Sequence, residues 1–202
     1  MAETRYHHGN LRAALLETGL RMTAERGAIS LQVRDLAKEE GVSPSAVYRH
    51  FPDLAHLSAE VSRLARERLA QAMLDAAAQV PEGTHAGLLA IRRFDAIGRA
   101  YVQFAVRERH LFDIAFQAPT APPSCADAPS AWDVLIDALD ALVAERELSP
   151  ALRPDAPIIA WSAVHGLASI FVRALEPEAG DQGEALDALM RGVRRALGIR
   201  DD

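Results

Sequence analysis

Apolar residues recur at three- and four-residue intervals through most of the chain, and the strict alternation that marks strands is nearly absent, so the pattern predicts an all-α protein. After a polar arm over residues 1–9, Asn10 is placed to cap a helix that carries Leu11, Leu15, Leu16, Leu20 and Met22 and closes at Arg26 and Gly27. Gly19 inside it is a local cost of about 1 kcal/mol relative to Ala. Val33 to Glu39 reads as a second helix, with Val33, Leu36 and Ala37 on one face. Gly41 breaks it, because glycine tolerates the left-handed backbone of a sharp turn. Ser43 and Pro44 then supply the cap and first turn of a third helix, bounded by Pro52. Asp53 caps a long helix in which Leu54, Leu57, Val61, Leu64, Leu69, Met73 and Val80 recur, a span of roughly 35 to 40 Å at about 1.5 Å per residue.

Beyond Pro81-Glu82-Gly83 the pattern predicts a helix from Ala86 to Arg109 and a short one from Leu111 to Phe116. Residues 118–130 hold Pro119, Pro122, Pro123 and Pro129 and read as an irregular loop. Helical periodicity resumes from Trp132 to Glu147. Two last helices follow, Asp155–Leu175 and Gln182–Leu197, separated by Glu176-Pro177-Glu178-Ala179-Gly180. The most apolar stretch, Ile158 to Val172, contains Ser162, His165 and Ser169, falls short of a membrane span, and reads as a helix buried on two sides.

The two short helices between Gln32 and Phe51 carry more than a packing pattern. Helices that cross steeply need a small residue at the contact, a glycine in the turn and a β-branched residue on the second helix, which Ala37, Gly41 and Val47 supply. Arg34, Ser45, Tyr48, Arg49 and His50 are then left facing outward, the side-chain types that reach base edges and phosphates in a major groove. The plain alternative is an interaction hairpin of some other helical protein, which has no need of those outward groups.

Charge qualifies this reading. The 202 residues carry a net charge of −6, which argues against coating nucleic acid nonspecifically. Residues 1–58, however, hold seven Arg or Lys and seven Asp or Glu, so the whole acidic excess lies beyond them. Site-specific binding with modest nonspecific affinity is expected. Half of the residues are hydrophobic, which excludes a disordered chain. One cysteine, Cys125, leaves no intrachain disulfide, and with no charged-then-apolar leader the expected compartment is the cytoplasm. No nucleophile elbow, phosphate loop or paired acid–base motif appears, so neither an enzyme nor a cofactor is expected.

Val33-Arg34-Asp35-Leu36-Ala37, Gly41-Val42-Ser43 and Tyr48-Arg49-His50-Phe51-Pro52-Asp53 resemble the DNA-binding signature of the TetR family of transcriptional regulators. Tyr6-His7-His8-Gly9-Asn10-Leu11-Arg12 and the helix after it resemble the first helix of one branch. Trp161, His165 and Gly166 resemble the Trp-His-Gly element of that branch's C-terminal regulatory domain. Between roughly residues 70 and 155 only a compatible helical pattern is seen. The resemblance implies a helix-turn-helix domain over residues 1–57 and a larger helical ligand-binding and dimerisation domain over 58–202. It puts Arg34, Pro44, Ser45, Ala46, Tyr48, Arg49 and His50 at the DNA; the Arg34 fork, able to bond two acceptors at once, is expected on a guanine, and Tyr48 and His50 on phosphates. Ser43 either caps the helix or touches the DNA backbone. Gln32 stands where the family often has a capping Ser or Thr, and Leu54 where it often has a phosphate-binding Lys; both departures weaken backbone anchoring.

Phe94, Tyr101, Phe104, Trp132, Trp161 and His165 are candidates for a small-molecule pocket, joined by Phe112 and Phe116, although an aromatic stripe at helical spacing also makes plain core. For Trp161, His165 and Gly166 a second reading is open: Trp161 in the core, His165 hydrogen-bonded beside it, and Gly166 at a dimer seam. His7 and His8 make a poor closed metal site, Arg5 in the arm either tracks a groove or is idle, and Cys125 reads as a surface thiol. The expected protein is a homodimeric repressor, paired through its last two helices, that binds a near-palindromic operator in double-stranded DNA and releases it on binding an unidentified small effector. Two other classes remain. A ligand-blind architectural DNA-binding protein would ignore every metabolite, and a small helical enzyme would turn over a substrate yet ignore duplex DNA.

Overall fold

A computed structural model describes residues 11–83, 85–117, 129–173 and 182–200. The Asn10 cap, Arg5, His7, His8, Cys125, the prolines at 119, 122 and 123, and the separator at 176–180 lie outside the described residues. Within them the chain is helical: α1 (Leu11–Arg26), α2 (Val33–Glu39), α3 (Pro44–Tyr48), α4 (Leu54–Ala78), α5 (Ala86–Arg107), α6 (Arg109–Gln117), α7 (Ala131–Ala144), α8 (Ala156–Arg173) and α9 (Gln182–Ala196).

Local chemistry sets the ends. Ser43 Oγ accepts the Ala46 amide of α3 at 3.3 Å, with Pro44 in the first turn. Asp53 Oδ1 accepts the His56 amide at 2.9 Å at the start of α4. Ser130 and Asp133 form a reciprocal capping box that starts α7 one residue earlier than periodicity predicts. Gly41 closes α2 with φ 66°, its amide bonded to Lys38 O and the Val42 amide to Ala37 O. A Cβ at Gly41 would meet nothing within 4 Å, so the backbone angle and not crowding calls for glycine.

Arg146 closes α7 by the same geometry at φ 62°, the Glu147 amide bonding Leu142 O at 2.9 Å. A residue with a Cβ is strained there. Arg146→Gly is therefore expected to raise stability by about 0.5–1 kcal/mol, the relief of left-handed strain outweighing the added freedom of the unfolded chain. Chemical denaturation checks this, and an unchanged or lower midpoint would contradict it.

The described helices divide into two compact units. The first joins α1, α2, α3, the start of α4 through Ala65, and α6 from His110. Leu15, Met22, Leu36, Val47, Phe51, Leu57 and Val61 form its core. Glu39 receives Arg21 at 2.9 Å and Arg26 at 3.2 Å, tying α1 to the end of α2, and Thr18 bonds Glu40. Leu111, Phe112, Ile114 and Ala115 of α6 are buried here as well, Ser62 Oγ donates to Ala115 O at 3.5 Å, and His110 lies against Gly27, where a Cβ would sit 3.3 Å from its Nδ1. The division thus differs from the 57/58 boundary read from sequence, because α4 runs unbroken across that point and α6 contributes its apolar face to the N-terminal core.

The second unit joins the rest of α4, from Arg66, to α5, α7, α8 and α9. α5 packs on α7, α8 and α9, burying Ile91, Phe94, Ile97, Tyr101 and Val102. Asp95 of α5 and Arg194 of α9 pair at 2.5 Å with both side chains largely buried. The expectations for α8 need correction. Its 18 residues, with mean hydropathy 1.3, are long and apolar enough to cross a membrane by length and composition. It is also not buried on two sides: Ala156, Ala160, Val164 and Ala168 face inward, whereas Ile158, Ser162, Gly166 and Ile170 form an exposed stripe. Small inward residues let α8 lie close to its neighbours, while Ile158 and Ile170 point out.

Candidate nucleic-acid interface and an apolar cavity

The turn between α2 and α3 is held by its own backbone and by apolar packing, which leaves the polar side chains outside. Val33, Leu36, Ala37 and Val47 are buried, and Phe51 anchors the chain just after α3. Arg34 on α2 and Pro44, Ser45, Tyr48, Arg49 and His50 on and after α3 are exposed, Tyr48 by 52%. They lie on a small element whose apolar side is buried. Such placement keeps the loss of side-chain freedom on contact with DNA to the exposed groups alone.

Other sequence-selected residues are placed differently. Ala46 is only 7% exposed and packs inward beside Val47, where its methyl helps seat α3 and leaves little surface for contact. Ser43 is exposed, but its hydroxyl oxygen serves the helix cap, which favours the first of its two readings. Gln32 is exposed at the start of α2 in extended conformation and makes no side-chain cap bond; its Nε2 donates instead to Ile29 O at 3.4 Å. Ile29, 88% exposed in the turn before α2, was not singled out from sequence. A lone apolar residue in a turn gives no periodic signal.

The second unit encloses a cavity. Met73 of α4, Phe94, Ile97, Gly98 and Tyr101 of α5, Leu135 of α7, Ala160, Trp161 and Val164 of α8, and Met190 and Val193 of α9 line it. Of the sequence-selected residues, Phe94, Tyr101 and Trp161 belong to this wall. Trp132 stands behind it, its ring edge-to-face on Trp161 at 5.5 Å. His165 is likewise outside the wall, stacked on Trp161 with its Nδ1 2.8 Å from Tyr101 Oη. Phe104 does not reach the cavity: it faces a separate polar groove between α4 and α5, with Arg68, Gln103 and Arg107. Phe112 and Phe116 pair with each other at 4.9 Å in the first unit. Gly166 has open space beside it and lies on the exposed stripe of α8.

Burial, and then Arg173, lower the His165 pKa from its ordinary value of 6.5, and burial pushes the Tyr101 hydroxyl up. The imidazole is therefore neutral at pH 7 and hydrogen-bonded to the Tyr101 hydroxyl. With the folded pKa below the unfolded one, the unfolded state binds more protons in that window. Stability from neutral His165 is then complete above about pH 6.5 and lost as pH falls below it. Between pH 7.5 and 5.5 the wild-type protein should lose more thermal stability than His165→Gln, in which that titration is absent. Equal losses in the two proteins would contradict the assignment.

A helix-turn-helix that presents arginine, tyrosine and histidine outward, carried on the same chain as a helical unit with an interior cavity, defines a DNA-binding regulator of transcription. Comparison with known proteins agrees. Residues 15–61 match the family model described as bacterial regulatory proteins, tetR family, and residues 94–193 match the tetracyclin repressor-like C-terminal domain. The chain belongs to the TetR family of transcriptional regulators. A Rhodococcus sp. RHA1 protein of unknown function is 26% identical, with a TM-score of 0.77 over 96% of this chain and 99% of that one. A TetR family transcription regulator from Marinobacter aquaeolei VT8 shares the fold at 17% identity, TM-score 0.62, over 94% of this chain and 96% of that one. AibR, solved in complex with isovaleryl coenzyme A and operator DNA, shares it at 14% identity, TM-score 0.55, over 92% and 96%.

Proposed function

We propose that this protein is a cytoplasmic, homodimeric repressor that binds a near-palindromic operator and releases it when a small molecule occupies the α4–α9 unit. It acts by binding and not by turnover. The observation that carries the DNA-binding part is the exposed set of Arg34, Ser45, Tyr48, Arg49 and His50 on an element whose Leu36, Ala37, Val47 and Phe51 are buried. One recognition helix covers only a few base pairs, so useful specificity requires two, about 34–36 Å apart on one face of the duplex.

The surface of the last two helices supports pairing. Ile158, Ser162, Gly166 and Ile170 on α8, and Ala185, Ala188, Gly192 and Ala196 on α9, are exposed stripes of apolar and small residues. Contiguous apolar surface of this kind marks an interaction site, and on a symmetric oligomer the same patch meets itself. A second copy, not lipid, is the partner assigned to the exposed face of α8.

Effector control follows population-shift logic: the ligand must prefer the conformer whose recognition helices are mismatched to the operator, since equal affinity for both shifts nothing. AibR, with its fold and its two bound partners, is a precedent for a ligand and operator DNA on one such chain. Selection of bound duplexes from a random pool tests the proposal. Recovery of a two-fold symmetric sequence is expected; recovery of no preferred sequence would refute it. Leu54 stands at the start of α4 where a lysine would meet a phosphate. Leu54→Lys should tighten operator binding and steepen the dependence of log affinity on log salt by about one phosphate's worth, a slope change near 0.9. An unchanged slope would contradict the docking.

A further inference from the structure

We propose that the cavity of the α4–α9 unit takes a compact, uncharged, apolar molecule about the size of one aromatic ring, admitted when the Met190 side chain withdraws from Gly98. The inference rests on the reading that this unit receives the effector, and it names the chemistry that the site accepts.

Three features of the cavity lead there. Among the described residues its wall holds no charged side chain. Charges one turn away on α5 and α9, Asp95 and Arg194, are joined to each other at 2.5 Å, so the pair offers no net counter-charge to an ionised ligand. An ion entering without a counter-charge forfeits its hydration, a far larger loss than a neutral ring suffers. No polar atom of the described lining residues faces the cavity, and the Tyr101 hydroxyl is engaged by His165 at 2.8 Å. A ligand hydroxyl would therefore give up its bonds to water without finding a replacement at the cavity surface.

Size and access follow from Gly98 and Met190. As it stands the cavity offers about 20 Å³ to the centre of a water molecule, room for about one water, whereas a cavity that takes benzene is nearer 150 Å³. Something must move. A Cβ at Gly98 would lie 2.8 Å from Met190 Cε and 3.0 Å from its Sδ, so the thioether tip fills the notch that the glycine leaves open. Methionine has three rotatable bonds and repacks readily. Met73 adds a second pliant side chain to the wall. Withdrawal of the Met190 tip would open the notch at Gly98 in a wall that also holds Phe94 and Trp161, room that suits a small apolar ring.

The full-length protein labelled with ¹³C at its methionine methyls supplies the test, with toluene, 4-methylphenol and 4-methylbenzoate as probes. Toluene is expected to shift the Met190 and Met73 signals, to leave Met22 of the other unit unmoved, and to change Trp161 emission in a Trp132→Phe background. 4-Methylphenol should bind no tighter than toluene, and 4-methylbenzoate at least about tenfold more weakly. Failure of saturating toluene to move Met190, or binding of the carboxylate as tight as that of toluene, would overturn the inference. Operator affinity is read in parallel. If toluene binds as described and operator affinity is unchanged, the ligand class stands and the effector reading falls. If 4-methylbenzoate releases the operator while toluene leaves Met190 unmoved, the ligand class falls and the effector reading stands.

Discussion

Replacing Arg34 and Arg49 together by alanine is expected to weaken specific operator binding by at least about 100-fold while moving the thermal midpoint by less than about 2 °C. Both side chains are exposed on an element whose stability comes from Val33, Leu36, Ala37, Val47 and Phe51. Their removal takes nothing from that core. A fork on a base edge contributes roughly 1–3 kcal/mol of discrimination, and a phosphate contact adds salt-dependent affinity. Titration of the selected duplex at two salt concentrations, with circular dichroism melts, reads both quantities. A double variant that binds as wild type would remove these side chains from the interface. One that binds poorly because it melts early would show that they serve the fold.

The second large effect is expected at the proposed seam. Ile170 is 63% exposed on α8, and a Cβ at Gly192 of α9 would meet nothing within 4 Å, so Ile170→Glu with Gly192→Glu disturbs no packing within the protomer. Brought against their own copies across a two-fold axis, the new charges and bulk lose contact and desolvate without partners. The variant should sediment as a single chain. Operator affinity should fall by about 10²–10⁴, because the second half-site is no longer tethered to the first. A variant that remains dimeric would place the seam elsewhere, and a monomer that keeps full operator affinity would end the two-half-site reading.

How far the sequence carried these conclusions depended on whether the deciding chemistry was local. Ser43-Pro44, Gly41 and Asp53 each act on backbone within three residues, so the ends of α2, α3 and α4 were legible from residue type. Ala46 was not. In a helix as short as α3 one position turns the side chain by about 100°, and the tertiary contact that selects the inward direction is not written in the helix itself. The placement of α6 failed to show for a related reason: Leu111, Phe112, Ile114 and Ala115 announce an apolar face, but not which core receives it. α8 is apolar on both sides, and hydropathy alone does not separate a face turned to its own core from one turned to a partner. The cavity was half visible. Phe94, Tyr101 and Trp161 stand out as aromatic residues, whereas the space among them is made by what is missing at Gly98 and Ala160 and by how Met190 folds over the gap. An absence of side chain carries no periodic signal.

A hydroxyl-radical footprint on the selected duplex tests the central claim most directly, because it reads how many recognition helices touch DNA and at what spacing. Two protected patches are expected on one face, centred about 10–10.5 base pairs apart, both lost with the Arg34/Arg49 double variant and weakened together when the α8–α9 seam is broken. A single patch indifferent to the seam, or protection that persists without Arg34 and Arg49, would contradict a paired helix-turn-helix reading the major groove.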